Sequence, residues 1–268
     1  MRPVTVPDYI KKLLRFSNAE KIALAKRQYG ALLKGTPDVT VVIPAYNEED
    51  NILNPLVSIS ANITSLSVEI IVVNNNCTDK TEELVTATGI TCVRETQKGV
   101  TAARTAGLHA ARGKFILNAD ADSIYPPDWI DSMIPPIKND TTLAISYGRF
   151  AFLPGDNTSR FTYFIYENLA DILRWYKKNF KEEAMNVYGC SSGFRREQCL
   201  QVNGYEHPPG TNEDGWLAVK LRNKGFGKLH YVPQGKAIVW TVDRHLQNDG
   251  GLVRAFVMRV KEAVFGKK

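Results

Sequence analysis

Between residues 39 and 118 the chain alternates continuous apolar runs with segments of helical spacing. Residues 39–43 are a β-branched run closed by Pro44, the pattern of a strand buried on both faces. Helical residues follow from about Glu48, with a break or kink at Pro55. Residues 68–73 repeat the strand pattern, and 74–77 read as a turn. Thr78 or Asp79 is the expected N-cap of a helix containing Leu84 and Val85. Residues 90–93 form a short third strand, 98–112 an Ala-rich helix, and 114–117 a fourth strand. This alternation predicts a mostly parallel α/β sheet with helices on both faces.

Beyond Tyr125 the pattern becomes irregular. Prolines punctuate a short helix within 126–137, residues 143–150 read as a strand, and 161–180 form an aromatic helix. Residues 186–197 are glycine-interrupted. A helix begins near Asn212 and stops at Gly225, short strands follow at 228–233 and 237–241, and a basic helix follows Gly250–Gly251. There is no internal repeat. The expected organisation is a basic helical extension over 1–36, one catalytic domain over 37–248 and a basic helix over 249–268. The domain divides into a nucleotide-binding half, 37–125, and an acceptor half, 126–248.

Net charge changes this picture at one place. Of the +6 total, residues 1–35 hold eight cations against Asp8 and Glu20, so the rest of the chain is formally neutral. That distribution argues against a nucleic-acid binder. Tyr9, Ile10, Leu13, Leu14, Ile22, Leu24, Leu32 and Leu33 recur among those cations at roughly helical spacing. Both basic ends therefore read either as amphipathic helices for an anionic membrane surface or as helices docked on the domain. With no apolar run of spanning length and no leader pattern, the expected location is the cytoplasm, peripheral at the inner face of the membrane if the basic ends bind it. The four cysteines have neither zinc nor disulfide-framework spacing.

The candidate chemistry lies at the strand ends. In "KFILNADADSIY", Asp120 and Asp122 would share a face if the strand stays extended. Two hard oxygen donors at that spacing suit Mn2+ or Mg2+ with a diphosphate in the open positions. Tyr46 to Glu48 and Asn74 to Asn76 end the other strands, and ligands bind at the carboxyl ends of such sheets. The same residues also suit plain turns and helix caps. Trp175, Tyr176, Tyr188 and Trp216 could stack on a sugar, though core packing suits most of them better. His245, with Arg244 beside it, is a weaker metal or phosphate candidate.

"VVIPAYNEE", "VEIIVVNNNCTDKT", "QKGVTAARTAGLHAARGKFILNADADS", "GCSSGFRRE" and "NEDGWLAVKLRNKG" together resemble glycosyltransferase family 2. The resemblance implies a GT-A fold, a Rossmann-like nucleotide-binding half with an acceptor-binding half, and inverting, metal-dependent transfer from a nucleotide-sugar, UDP-sugar foremost. The acceptor would be a glycan or a lipid-linked hydroxyl, in cell-surface glycan or polysaccharide synthesis. Carried over residue by residue, it implies Pro44, Tyr46, Glu48, Asn75, Lys98, Arg104 and Asp120 beside the nucleotide-sugar. Asp122 would be the main metal ligand with Asp120, Asp214 the catalytic base, and Gly189, Glu213 and Trp216 acceptor-side. Asn75 departs from the aspartate usual at that position, which leaves the base preference open. Two other readings compete. A nucleotidyltransferase normally needs a glycine- and arginine-rich loop that "PAYNEE" does not supply. A non-catalytic GT-A-fold binding or scaffold protein is kept alive by Asn75, but Asp120, Asp122 and Asp214 argue against it. A dinucleotide dehydrogenase would need a GxGxxG after a strand.

Overall fold

The structure is a computed structural model that describes residues 2–155, 158–248 and 251–265. The four apolar runs become strands β1 (Val39–Ala45), β2 (Val68–Asn74), β3 (Thr91–Arg94) and β4 (Phe115–Asn118). They pair in parallel in the order β3-β2-β1-β4. Alternate residues serve opposite layers. Val39, Val41 and Ile43 join one core, while Val42, Ile71 and Val73 join the other.

Two N-terminal helices, α1 (Asp8–Leu14) and α2 (Asn18–Leu32), lead into this sheet. A Ser17–Glu20 capping box starts α2. Ile10, Leu13, Ala25, Tyr29 and Leu32 are buried in the first core, against α3 (Leu53–Ser60). Most of the apolar stripe of the N-terminal extension is therefore docked on the domain, with Lys11, Lys12, Arg15, Lys26, Arg27 and Lys34 exposed and Arg2 and Lys21 buried. Helix α3 begins at Leu53 rather than Glu48, so Pro55 falls in the first turn, where its missing N–H is not needed. Helix α4 (Thr81–Ala87) begins after both expected caps, although Asp79 Oδ1 accepts from the Thr81 N–H at 3.0 Å. Helix α5 (Val100–Ala110) covers the second layer. A Cβ at Gly107 would run into Val42, so glycine lets α5 lie close on the sheet and brings Arg104 over the strand ends.

After β5 (Ser123–Ile124) comes α6 (Trp129–Asn139), which continues through Pro135 and Pro136. Its buried face of Trp129, Ile130, Met133, Ile134 and Ile137 outweighs the lost N–H groups. Next are β6 (Leu143–Tyr147), β7 (Phe150–Phe152), α7 (Arg160–Phe180), β8 (Ser192–Arg195) and α8 (Arg196–Leu200). Helix α9 (Glu213–Asn223), β9 (Lys228–Tyr231), β10 (Val239–Thr241), α10 (Arg244–Asn248) and α11 (Leu252–Phe265) complete the order. Strand β8 enters antiparallel between β4 and β6, and β9 pairs parallel at the edge. A second sheet has the order β5-β10-β7. No helix among the described residues is long and apolar enough to cross a membrane.

Candidate active site

The carboxyl ends of β1, β2 and β4 open into a cleft of about 870 Å3. Pro44, Tyr46, Glu48, Asn75, Lys98, Arg104, Asp120, Asp122, Gly189, Glu213 and Asp214 all line it. Twelve site positions were expected, and these eleven converge although they come from segments spread over the whole domain. Trp216 does not. It lies on another side of α9, in a shallow depression with Val202, Asn203 and Lys220, because residues two apart on a helix do not share a face. Trp175 also lies away from the cleft, exposed on α7, and Tyr176 is not among the cleft residues. Tyr188 is in the cleft. The side chain of His245 lies outside the described residues.

Arg104 organises the floor. It is buried, its Nη2 donates to Asp120 Oδ1 at 3.1 Å, and its Nε lies 3.6 Å from Glu213 Oε1 and 3.8 Å from Asp214 Oδ1. Burial lowers its pKa, but Asp214 and Asp120 outweigh that and raise it above the usual arginine value. Its Nε and Nη1 are buried without a hydrogen-bond partner. Unused donors on a fixed cation in a cleft suit the oxygens of an anion. Arg104 is thus not a solvated helix charge, whereas Lys98 is exposed at the rim.

Asp214 is placed by its helix and then by its neighbours. Asn212 caps α9, its Oδ1 accepting from the Gly215 N–H at 2.6 Å, which puts Asp214 in the first turn. Asn118 Nδ2 donates to Asp214 Oδ1 at 3.0 Å. The amide is oriented from behind, because the buried Tyr205 hydroxyl donates to Asn118 Oδ1 at 2.6 Å. Gly189 closes the other side. A Cβ there would overlap the Arg104 guanidinium and lie 2.6 Å from Asp214 Oδ2. Burial raises the Asp214 pKa, Arg104 opposes it, and Glu213 adds to it, so that it is pushed up to about 7. The helix N-terminus does not keep this acid at an ordinary value. Neither Asn118 nor Tyr205 was expected. Asn118 stands two residues before Asp120 at the end of β4, a spacing that could have marked it; Tyr205 arrives from a loop and carries no such signal.

The two aspartates reach the cleft by a route other than the predicted one. Strand β4 stops at Asn118, and a turn at Ala121–Asp122 leads into β5. The Asp120 N–H donates to the buried Tyr125 hydroxyl at 2.8 Å, which donates onward to the Cys190 carbonyl at 3.2 Å. The turn therefore sends each carboxylate to its own cation. Burial raises the Asp120 pKa to about 6 in spite of Arg104. Asp122 Oδ2 accepts from Arg244 Nη2 at 2.7 Å, and the same nitrogen donates to Glu48 Oε1 at 2.6 Å.

Among the described residues no three His, Cys, Asp or Glu side chains converge on a metal position. A hard cation held by one or two carboxylates takes its remaining ligands from phosphate oxygens and water, so no triad is needed. Asp122 fits that role better than Asp120, since its partner Arg244 is half exposed while Asp120 is tied to buried Arg104.

Asn75 also lines the cleft, but its amide is already engaged. Its Nδ2 donates to the Gln97 and Glu95 carbonyls at 2.7 and 3.2 Å, and its Oδ1 accepts from the Gly99 N–H at 2.9 Å. It ties the end of β2 to the loop before α5. An aspartate could not make the two donations, which gives the amide a local reason.

The profile of Glycosyl transferase family 2 matches residues 40–200. A dolichol-phosphate mannosyltransferase from Pyrococcus furiosus is 34% identical over 112 residues, 40% of this chain and 32% of that protein. The succinoglycan biosynthesis protein ExoO of Rhizobium meliloti is 38% identical over 102 residues, 37% of this chain and 29% of that protein. The matched segment thus spans about a third of the length of these relatives. Glucosyl-3-phosphoglycerate synthase from Mycobacterium tuberculosis, solved with Mn2+, UDP and phosphoglyceric acid, superposes with a TM-score of 0.59. It is 20% identical, and the match covers 94% of this chain and 84% of that one. At that identity the likeness shows the fold, which is GT-A.

Proposed function

Because the chain belongs to glycosyltransferase family 2, we propose that it moves a sugar from a nucleoside-diphosphate donor to a hydroxyl acceptor with inversion, Asp214 acting as the base. The observation that carries this reading is the placement of Asp214. It is a buried carboxylate in the same cleft as Asp120 and Asp122, oriented by Asn118, with its pKa pushed up to about 7. A base works best when its pKa lies near the working pH.

In the proposed step the acceptor hydroxyl lies against Asp214. Its oxygen forms a bond to the anomeric carbon as its proton passes to the Asp214 carboxylate. The bond from that carbon to the diphosphate oxygen breaks on the opposite side, and the nucleoside diphosphate leaves with the electron pair. Arg104, whose Nη1 is buried without a partner while Nε faces Glu213 and Asp214, would hold the diphosphate. Mn2+ or Mg2+, held by Asp122 with Asp120, would neutralise charge on that leaving group. Tyr46, exposed at the mouth of the cleft, and Pro44 would meet the base, and Gly189 and Glu213, which also line the cleft, would meet the acceptor.

The relatives support the class. One similar protein is named for dolichol-phosphate mannosyl transfer, another for succinoglycan biosynthesis, and a similar structure contains UDP with Mn2+. A UDP-sugar donor, with a glycan or lipid-linked acceptor in cell-surface glycan synthesis, is the specific reading we adopt. It is tested by incubating the protein with Mn2+ and UDP-, GDP-, dTDP- and CDP-sugars and resolving the released sugar by NMR. Release of the inverted anomer from one donor supports the reading. Release of the retained anomer, or no turnover of any donor with acceptor glycans present, contradicts it.

A further inference from the structure

Helix α7 is built inside out. Arg160, Glu167, Asp171 and Arg174 point inward into an ion-pair network that also takes in Arg2 and Arg149. The outward face carries Phe161, Ile165, Leu169, Ile172, Trp175 and Phe180, each between 44% and 63% exposed. These positions recur every three to five residues, so they form one stripe about 28 Å long at 1.5 Å per residue. Helix α11 packs beside α7, through Tyr166 and Phe256 among others, and itself exposes Val253, Val257 and Met258. A continuous apolar surface of this length on a globular protein marks an interaction face.

We propose that this face docks on an anionic phospholipid bilayer. Charge selects that occupant over a second copy of the chain. Lys177 and Lys181 stand at the end of the stripe, Lys178 turns away to pair with Glu183, and Arg254 and Lys261 project from α11. Both acids of α7 are turned inward and paired, so the helix offers no outward carboxylate. Another copy would present the same cations, whereas anionic headgroups meet them while the apolar side chains enter the acyl boundary. Trp175 and the phenylalanines suit that depth. The docked face also lies close to the cleft. Arg259 of α11 lines it and donates to the Tyr166 hydroxyl of α7, and Arg174 lies 5.4 Å over the ring of Tyr188, another cleft residue. Docking through α7 would thus bring one wall of the cleft beside the lipid surface.

The test is flotation of the full chain with vesicles of phosphatidylcholine, alone or mixed with phosphatidylglycerol. The wild type should float with the mixed vesicles and only weakly with the neutral ones. Ile165→Ser/Ile172→Ser/Trp175→Ser should bind at least about tenfold less, with an unchanged melting transition, because all three side chains point outward. Lys177→Glu/Lys181→Glu, which leaves the stripe intact, should lose the preference for the anionic vesicles. Failure of the wild type to float, or undiminished flotation of both variants, overturns the proposal. So does a wild-type dimer that the serine variant dissociates, without vesicle binding, which would give the face to a second copy. None of these readouts depends on sugar transfer.

Discussion

Two arginines each bridge acidic side chains in the cleft, and they differ in how much water reaches them. Arg104 is buried among Asp120, Glu213 and Asp214, with its side chain 3% exposed. Arg244 bridges Glu48 and Asp122 with 49% of its side chain exposed. In the interior a charge is held by its partners, and removing one strands the others. At the mouth water reaches the guanidinium itself, so these pairs contribute less, although the Glu48 and Asp122 side chains are only 11% and 13% exposed. The floor of the cleft is therefore a fixed device that tunes Asp214, while Asp122 can change its counter-ion.

The largest effect should come from breaking the fixed end. Arg104→Ala leaves three carboxylates without their cation and should cost about 3–5 kcal/mol in urea unfolding, against no more than about 1 kcal/mol for Arg244→Ala. Equal losses from the two would remove the distinction. Next comes Gly189→Ala, whose methyl group must push Arg104 away from Asp214. A loss of about 1–3 kcal/mol is expected, with turnover reduced more than nucleotide binding, in a comparison of kcat with donor affinity. Asn75→Asp tests the loop rather than the floor. Denaturation should show about 1–3 kcal/mol lost, since a carboxylate would face the Glu95 and Gln97 carbonyls without a proton to offer. The smallest effect belongs to the exposed end. Arg244→Gln should tighten Mn2+ binding by about two- to fivefold in the absence of nucleotide, followed by electron paramagnetic resonance, because a competing cation is gone. Weaker Mn2+ binding would show that Arg244 supports the cation site instead.

The same contrast explains what could be read from the chain alone. The strands β1 and β2, seven residues each, and the shorter β4 are apolar runs whose burial depends on local pattern, and the polar groups at their ends follow from alternation and topology. Asp122 was legible for that reason, even though a turn rather than an extended strand delivers it. Asp214 was legible only by resemblance, since an acid in the first turn of a helix needs no function. The groups that tune it, Asn118, Tyr205 and Arg104, meet only in three dimensions. Helix α7 shows the limit most clearly. Periodicity reveals that 161–180 has two faces, but the usual rule sends the apolar face inward. Here the ion pairs with Arg2 and Arg149, which are remote in sequence, draw the polar face in.

The most direct measurement is the pH dependence of kcat/KM for sugar transfer, in the wild type and in Asp214→Asn. The base must be ionised to accept a proton, so activity should rise with pH, about tenfold per unit below an apparent pKa near 7, and then level off. Asp214→Asn should lower kcat by about 10²–10⁴, leave nucleotide affinity nearly unchanged and lose that rising limb. A mutant with full turnover, or one that keeps the same limb, would take Asp214 out of the reaction.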